Sequence, residues 1–516
     1  MKIRIALEGV GTSLLVLYHY PQLLEPSNLA IFHHGLPVTH LIGGYLVDML
    51  FVAILTSGFL TAVQYLPRNP QRILQTLFAI LVLWRIMDFA VHLQNNLLIT
   101  AYWSTTRKQS CIAIFLVSGV LAFFLPHITE PVVRAIRLVI AAFAFSALWI
   151  IPQLIHLALL QPPVQSAASI HLPAPLHSNS KQRIIWILFD ELSYDQTFDH
   201  RFPGIKLPNF EQLHSVSFSF SNLNPAGFYT NRIIPSLFLG RRIDRIRSTL
   251  DGDLWYYDEP QHRWLAYDPN ATLFGIARRN GWSSGIEEWD FPYCRILASV
   301  LNTCSWEPSG ILPVEIYGAS EDKSVLANAA VLPHEFLARL TNQTATFINN
   351  KDIQEYRDMM THTHALIEND QVRFVFLHLN VPHPPGIYDR QRHMLRAGGN
   401  YLDNLVLADD TMGALLQEID ASPSASQTTV IVSSDHSWRI PYWRHGIFWS
   451  DEDERASGGH FDDRPVLLIH FPGQSSGNVV NSALPELLEH DIIADMLRGR
   501  INNPAELTVF LSQHGR

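Results

Sequence analysis

The chain has 516 residues, which is too long for a single compact core and predicts at least two domains. Only 16% of the residues are charged, and 37 basic against 47 acidic side chains give a net charge of −10. There is no basic excess and no Lys- or Arg-rich tract, so the composition argues against a nucleic-acid-binding protein. The shortage of charge lies mainly in the first third of the chain.

The first 160 residues contain long apolar runs. Four of them approach the roughly 20 residues that a transmembrane helix needs: residues 41–66, 73–93, 111–125 and 138–160. A fifth, weaker run over residues 3–20 carries Glu8. No small-x-small cleavage site follows this run, so we interpret it as a retained helix and not as a signal peptide. The sequence predicts a membrane-embedded bundle of about five spans over residues 1–160.

The basic residues between these runs predict the orientation of the bundle. With five spans and a cytoplasmic amino terminus, one set falls in the cytoplasm, namely Lys2, Arg4, Arg68, Arg72, Arg134 and Arg137. Only Arg107 and Lys108 fall on the opposite side. By the positive-inside rule, everything after residue 160 lies outside the cytoplasm, and a four-span arrangement gives the same result. We therefore expect a multi-pass protein of the cell (inner) membrane.

Residues 161–181 contain four prolines and no apolar period, which predicts a stiff linker before a domain over residues 182–516. In that domain, apolar runs of strand length alternate with helical patterns. The predicted strands are Ile184–Phe189, Phe374–Leu379, Val430–Val432 and Val466–Phe471, and the predicted helices are Glu211–His214, Pro333–Leu340, Asp403–Ile419 and Pro485–Leu497. This alternation predicts an α/β fold with a mostly parallel sheet flanked by helices.

The polar part of the chain has two cysteines, Cys294 and Cys304. They either form a disulfide, which would suit an oxidising compartment, or are two unrelated thiols.

Three of the predicted strands end in metal-binding side chains. The first is followed by Asp190 and Glu191, another by Asp435 and His436, and a third leads to His383 between two prolines. Because the carboxyl ends of parallel strands share one edge of a sheet, we expect these side chains to converge. A single carboxylate after a strand is more often a helix cap or a turn residue, and the convergence is what favours a metal site.

Carboxylates with an imidazole suit Zn or Mn, and Ca or Mg less well, so the sequence predicts one or two divalent ions. Asp190, Asp435 and His436 are the expected ligands. Glu191 is either a further ligand or a group that orients the others. A second histidine, His460, is a candidate for substrate or metal binding, whereas His378, inside a strand, is more typical of a core histidine.

The best candidate for a nucleophile is Thr230, which follows a glycine turn and precedes an apolar helical pattern. A helix amino terminus favours an oxyanion, although an ordinary N-cap threonine has the same pattern. His383 is held in an extended loop by its flanking prolines, and an imidazole there is suited to bind an ester or to protonate a leaving oxygen.

As a set, these motifs resemble the sulfatase-like branch of the alkaline phosphatase superfamily. The resemblance covers about residues 182–474 and rests on Asp190-Glu191, Thr230 followed by Pro235, Val381-Pro382-His383, Ser433-Ser434-Asp435-His436 and the segment from Arg464 to Gly473. Transmembrane helices before such a domain are similar to lipoteichoic acid synthases and lipid A phosphoethanolamine transferases. The resemblance implies an alkaline-phosphatase-like fold in which Thr230 is the nucleophile and a metal ligand beside Asp190, Asp435 and His436, and His383 contacts substrate.

The chain also departs from these families. True sulfatases convert a Cys or Ser in a Cys-x-Pro-x-Arg setting to formylglycine, and neither Cys294 nor Cys304 lies in that setting. Ser437 stands where the family has a glycine after Asp-His. We expect a metal-dependent enzyme that transfers a phospho-substituent from a lipid donor to an envelope glycan or lipid. The alternatives are a sulfuric or phosphoric ester hydrolase and a catalytically degenerate scaffold for envelope assembly.

Overall fold

The computed structural model describes residues 2–18, 20–25, 38–94, 105–160, 182–249, 253–307, 313–341, 343–444, 446–459 and 461–514. The chain forms two compact units. The first contains the helices before residue 161 together with residues 313–341, and the second contains the other described residues from 182 onward. The predicted linker, residues 161–181, lies outside the described residues.

The described part of the first 160 residues is helical. Its helices are α1 (Lys2–Val16), α2 (Tyr20–Leu24), α3 (Thr39–Val63), α4 (Arg68–Gln94), α5 (Thr105–Phe124), α6 (Pro126–Phe143) and α7 (Ala147–Leu159), with a 3₁₀ turn at Ala144–Ser146. Among the described residues, two helical stretches are long and apolar enough to cross a membrane, Thr39–Val63 and Pro126–Leu159. A shorter apolar helix covers Ile112–Phe124. The five-span arrangement and its orientation stay predictions.

The second unit begins with residues 182–307. Its elements are β1 (Arg183–Phe189), a π-helical turn (Asp195–Asp199), α8 (Pro208–Val216), β2 (Phe218–Phe220), β3 (Leu223–Asn224), α9 (Thr230–Leu239), β4 (Ile246–Ser248), β5 (Leu254–Asp258), β6 (Arg263–Ala266), a 3₁₀ turn (Pro269–Ala271), α10 (Leu273–Arg279), β7 (Ser284–Trp289), α11 (Tyr293–Ile296) and β8 (Thr303–Glu307). Cys294 and Cys304 form a disulfide that joins α11 to β8.

Residues 313–341, which group with the first unit, contain a 3₁₀ turn (Pro313–Tyr317), α12 (Val325–Ala329) and α13 (Leu332–Thr341). The second unit then continues through α14 (Thr344–Glu368), β9 (Phe374–Leu379), β10 (Gly386–Asp389), β11 (Met394–Gly399), α15 (Tyr401–Ala421), a 3₁₀ turn (Ala425–Gln427), β12 (Thr428–Ser434), α16 (Ile440–Trp443), α17 (Asp451–Ala456), β13 (Leu467–His470), β14 (Asn478–Val480), β15 (Leu484–Pro485), α18 (Leu488–Leu497) and α19 (Pro504–His514).

Residues 313–341 pack on α3 within the first unit. The carboxylate of Glu321 accepts hydrogen bonds from the backbone N–H groups of His40 (3.0 and 3.1 Å) and Leu41 (3.2 Å) and so caps the start of α3. A Cβ atom at Gly44 would lie 2.7 Å from the Cβ of Asn328, so the glycine permits this close approach of α12 to α3. The sequence alone did not indicate this grouping.

The central sheet of the second unit has the strand order β14-β2-β13-β12-β1-β9-β7-β8. Strands β12, β1, β9, β7 and β8 run parallel to one another, whereas β13 runs antiparallel to both β12 and β2. Every residue of β1 is buried. Trp186 of β1 packs in a core on one face of the sheet with α9, α10 and α18, and Ile187 packs on the other face with α8, α14 and α15. The predicted α/β fold with a mostly parallel sheet is confirmed.

The predicted helix Pro485–Leu497 begins in the wrong place. Pro485 is the last residue of β15, which pairs with β3, and the helix begins at Leu488. A proline in a first helical turn and a proline at a strand end look alike in sequence, and here the pairing with β3 decides. Pro333, by contrast, lies in the first turn of α13, as predicted.

Arg183 ties β1 to the carboxyl end of α14. Its guanidinium is fully buried and donates to the carbonyls of Leu366 (3.2 Å) and Ile367 (2.8 Å) and to the side chain of Asp370 (3.1 Å). These are carbonyls that a helix end leaves without an intrahelical partner.

We expect Arg183→Met to lower the free energy of unfolding by about 2–4 kcal/mol, because buried carbonyls and a carboxylate would lose their donor. Denaturant unfolding followed by tryptophan fluorescence measures this change. Arg500→Met, at an arginine that is 67% exposed and pairs with Asp495, is the control and should change stability little. An equal loss in both variants would contradict the structural role of Arg183.

Candidate active site

The register of three neighbouring strands brings the predicted site residues to one edge of the sheet. Phe189, the last residue of β1, pairs with Ser434 at the end of β12 and with Leu379 at the end of β9. The next residues, Asp190 and Asp435, therefore leave the sheet side by side. Carboxyl ends of strands in open α/β sheets are where sites commonly form.

Four of the predicted site residues meet there. The Nε2 atom of His436 lies 2.9 Å from Oδ2 of Asp435, 3.8 Å from Oδ1 of Asp190 and 3.2 Å from Oγ1 of Thr230. Thr230 is the first residue of α9, and Tyr229 occupies the N-cap position that the sequence allowed for Thr230. Both aspartates and His436 are buried, whereas Thr230 is half-buried and is the most exposed of the four residues.

The aspartates of this cluster have fewer hydrogen bonds than buried carboxylates need. Oδ1 of Asp435 accepts from the backbone N–H groups of Glu191 and His436. Among the described residues, the other three carboxylate oxygens have no hydrogen-bond partner of normal geometry: both oxygens of Asp190 and Oδ2 of Asp435. An ionised carboxylate without a partner is very costly to bury. The unsatisfied oxygens of Asp190 and Asp435, beside an imidazole and a hydroxyl, match the donor set of a Zn or Mn ion, so these residues fit the divalent cation that the sequence predicts.

Glu191 occupies a left-handed backbone conformation with φ 66°. Its Oε1 accepts hydrogen bonds from Nε of Arg439 (2.5 Å) and from the indole N–H of Trp443 (2.9 Å), and its backbone N–H donates to Oδ1 of Asp435 (3.2 Å). A carboxylate oxygen of Glu191 also lies within 4.8 Å of the ligand atoms of Asp190 and His436. Because its carboxylate already has two donors, the geometry favours the orienting role over direct ligation.

His378 takes part in the site, although the sequence alone suggested a core histidine. Its ring is fully buried, with Nδ1 2.8 Å from Oε1 of Glu288 and Nε2 3.7 Å from Oδ2 of Asp190. Burial lowers the pKa of His378, but Glu288 and Asp190 outweigh this effect and raise the pKa well above its usual value. His378 thus connects Asp190 to a carboxylate on the neighbouring strand β7. The sequence alone did not predict a role for Glu288. The feature that could have indicated it is the pair of adjacent glutamates, Glu287 and Glu288, within a short buried strand.

His383 lies close to the same cluster. Its ring meets Trp289 and Trp443 edge-on, each with a centroid distance of 5.2 Å, and Asn404 donates to its backbone carbonyl (2.9 Å). Burial raises the pKa of Asp190, but His383, His378 and His436 together bring it well below its usual value. His383 is half-buried and is thus open to a substrate. The other predicted substrate ligand, His460, lies outside the described residues.

Ser437 is accommodated at the position where the family has a glycine. Its backbone carbonyl lies 3.0 Å from Nδ1 of His436, and its hydroxyl donates to the hydroxyl of Ser193 (3.0 Å). The first contact requires a proton on Nδ1, which leaves Nε2 free to act as an acceptor or a metal ligand.

Comparison with known proteins gives matches among solved structures alone. No family model and no curated protein matches the chain. The PsFucS1 sulfatase from Pseudoalteromonas sp. is 14% identical, with a TM-score of 0.38 over 62% of this chain and 68% of that protein. An alkaline phosphatase superfamily protein from Vibrio parahaemolyticus is 12% identical, with a TM-score of 0.35 over 63% and 68%. The lipoteichoic acid synthase LtaP from Listeria monocytogenes is 11% identical, with a TM-score of 0.38 over 62% and 72%.

All three identities are below 25% and all three TM-scores are below 0.5. The proteins named are a sulfatase, a superfamily member and a lipoteichoic acid synthase, the same groups that the motifs resemble. Their names agree with the resemblance to the sulfatase-like alkaline phosphatase superfamily that the sequence motifs carry.

Proposed function

We propose that this protein is a metal-dependent enzyme acting on phosphate or sulfate esters, and that it transfers a phospho-substituent from a lipid donor to an envelope glycan or lipid through Thr230. The observation that carries the proposal is the 3.2 Å contact between the Thr230 hydroxyl and His436, beside two buried aspartates. Among the described residues, both carboxylate oxygens of Asp190 and Oδ2 of Asp435 lack a hydrogen-bond partner. A hydroxyl in this setting is suited to act as a nucleophile.

Asp190, Asp435, His436 and Thr230 would hold the cation. When bound, it would favour the ionised form of the Thr230 hydroxyl and offset the negative charge of the ester oxygens. Glu191 and Arg439 would keep Asp435 in position from behind, because the backbone N–H of Glu191 donates to Asp435 and Arg439 pairs with the Glu191 carboxylate.

The start of α9 offers further groups for an anionic ester. The unpaired N–H groups of a helix amino terminus carry partial positive charge and favour phosphate oxygens. Arg232, two residues after Thr230, is half-buried, and its Nε atom has no hydrogen-bond partner among the described residues. Its guanidinium stacks over the ring of Tyr229 at 5.0 Å. We infer that Arg232 contacts a non-bridging oxygen of the substrate.

In the first step, Thr230 reacts in its ionised form: its oxygen forms a bond to phosphorus, and the bond from phosphorus to the leaving oxygen breaks. Protonated His383 gives its proton to that oxygen and releases it as an alcohol. In the second step, an acceptor hydroxyl attacks the phospho-threonyl intermediate and passes its proton to the now neutral His383. The P–O bond to Thr230 then breaks, and the enzyme returns to its initial state.

The formylglycine route of true sulfatases does not suit this chain. Position 230 carries a threonine, and formylglycine forms from cysteine or serine. Cys294 and Cys304 are bonded to each other and are therefore not available for conversion. A sulfate ester is thus a less suitable substrate than a phosphate ester.

A lipid donor is supported by the apolar helices of the first unit, Thr39–Val63 and Pro126–Leu159. We propose that the protein is a multi-pass membrane protein with its catalytic domain outside the cytoplasm. The disulfide between Cys294 and Cys304 supports that side, because disulfides persist in oxidising compartments.

We expect Thr230→Ala to lower kcat on a phosphodiester such as bis-p-nitrophenyl phosphate by about three orders of magnitude or more, because the nucleophile is lost. Thr230→Ser keeps a hydroxyl and should retain part of the activity. Intact-mass measurement of the wild-type protein after incubation with a total lipid extract should give an adduct that maps to residue 230. Thr508→Ala, at an exposed threonine of α19, is the matched control. Full turnover by Thr230→Ala would refute the proposal.

The choice between transfer and hydrolysis rests on the acceptor. With a labelled donor lipid, transfer gives labelled glycan or lipid, whereas an ester hydrolase gives only the product formed with water. Labelled product that forms equally well with and without an acceptor would favour hydrolysis over the transferase proposed here.

We expect Asp435→Asn to bind about one equivalent less of Zn or Mn than the wild type and to lose most of the stabilisation that the metal provides. A cation that binds only the folded state raises its stability, and a charge-neutral side chain weakens that binding. Elemental analysis and thermal unfolding with and without a chelator measure both effects. Asp420→Asn, at an exposed carboxylate of α15, should behave as the wild type. Unchanged metal content and unchanged cellular function in Asp435→Asn would favour the scaffold alternative.

A further inference from the structure

A second group of potential ligands lies on the opposite face of β7 from Glu288. Side chains alternate along a strand, so Glu288 faces His378 whereas its neighbour Glu287 points to the other face. Glu287 pairs with Leu377 of β9 and with Ser305 of β8. Leu377 belongs to the core that includes α14 residues such as Met359, so Glu287 lies beneath that helix.

The charge of Glu287 is poorly compensated: the His362 ring lies 3.7 Å from its carboxylate, and the Ser305 side chain offsets the rise of its pKa only in part. The Glu287 side chain is fully buried, and neither carboxylate oxygen has a hydrogen-bond partner of normal geometry among the described residues. Burial raises the pKa of Glu287 well above its usual value, with Glu307 and Glu288 adding to the rise. A carboxylate in this position either carries a proton or faces a cation.

Two further side chains converge on Glu287. Nδ1 of His362, on α14, lies 3.7 Å from Oε2 of Glu287 and 3.1 Å from Oε1 of Glu307, the last residue of β8. One potential ligand atom from each of the three residues lies within 4.8 Å of the others. His362 is 46% exposed and the Glu307 side chain 16%, so an ion would have a path from solvent. None of the three belongs to the site around Thr230.

The surroundings add negative charge. Burial and the nearby carboxylates of Asp358 and Glu355 together raise the pKa of Glu307 to about 7, although Lys351 opposes the rise. Lys351 forms an ion pair with Glu355. One lysine therefore faces several carboxylates, and the pocket favours a cation.

We propose that Glu287, Glu307 and His362 form a second divalent-cation site, distinct from the site at Asp190 and Asp435. Two carboxylates and one imidazole suit a transition-metal ion such as Zn²⁺ or Mn²⁺ better than Mg²⁺ or Ca²⁺, and water would complete the coordination. Such an ion would connect α14 to β7 and to the edge strand β8. Glu288, which contacts His378, also lies on β7. The ion would therefore also stabilise a strand that supports the candidate active site.

The test is the metal content of the full-length protein after dialysis against Zn²⁺ or Mn²⁺ and removal of free ion. We expect His362→Ala and Glu287→Gln each to hold about one equivalent less than the wild type. His364→Ala is the matched control, because His364 lies on the same helix, is 38% exposed and contacts Glu418 (2.7 Å); its metal content should be unchanged. His362 is at the surface, so its variant decides the question even if Glu287→Gln does not fold.

The same measurement in the Asp435→Asn background separates this proposal from the proposed function. We expect Asp435→Asn to keep one equivalent, and Asp435→Asn combined with His362→Ala to keep almost none. If His362→Ala and His364→Ala bind equal amounts in both backgrounds, there is no second site and Glu287 is simply protonated. That outcome would not affect the proposal for Thr230. Conversely, full turnover by Thr230→Ala would not affect the proposal of a second metal site.

Discussion

The candidate site depends on buried and only partly compensated negative charge at the aligned ends of β1 and β12. Their parallel register delivers Asp190 and Asp435 to one point with no adjustable loop between strand and ligand. Both carboxylates are buried, and His436 and Thr230 are the groups beside them that face the substrate side. Burial of these carboxylates lowers the stability of the fold, and a bound cation would offset that cost. The surrounding contacts hold the side chains in place despite it.

Those supporting contacts come from elements that are far apart in sequence. Glu191, Arg439 and Trp443 form a buried group behind Asp435, and Glu288 with His378 supports Asp190 from the neighbouring strands. The cluster is therefore braced on two sides, while Thr230 and His383 stay half-buried on the open side. Rigid support around an accessible hydroxyl agrees with the proposed group transfer.

Much of this arrangement was predictable from the sequence. The strand Phe374–Leu379 has the predicted bounds, and the polar residues after β1 and β12 identified the edge where the site forms. The role of His378 was not predictable, because it depends on the lateral pairing of β9 with β7, and one sequence does not specify which strands are neighbours. The start of α18 was misplaced for a similar reason, since a distant strand pairs with Pro485.

The grouping of residues 313–341 with the amino-terminal helices has a practical consequence. The chain leaves the α/β unit after β8 and returns to it with α14, so a cut near residue 182 would not yield a self-contained soluble protein. A truncated protein would retain α12 and α13 without the helix that Glu321 caps, and would expose the face that packs on it. If this truncated protein aggregated, the cause would be the exposed face of α12 and α13 and not instability of the α/β unit. A short polar bridge in place of residues 313–341 is the more rational route to a soluble form.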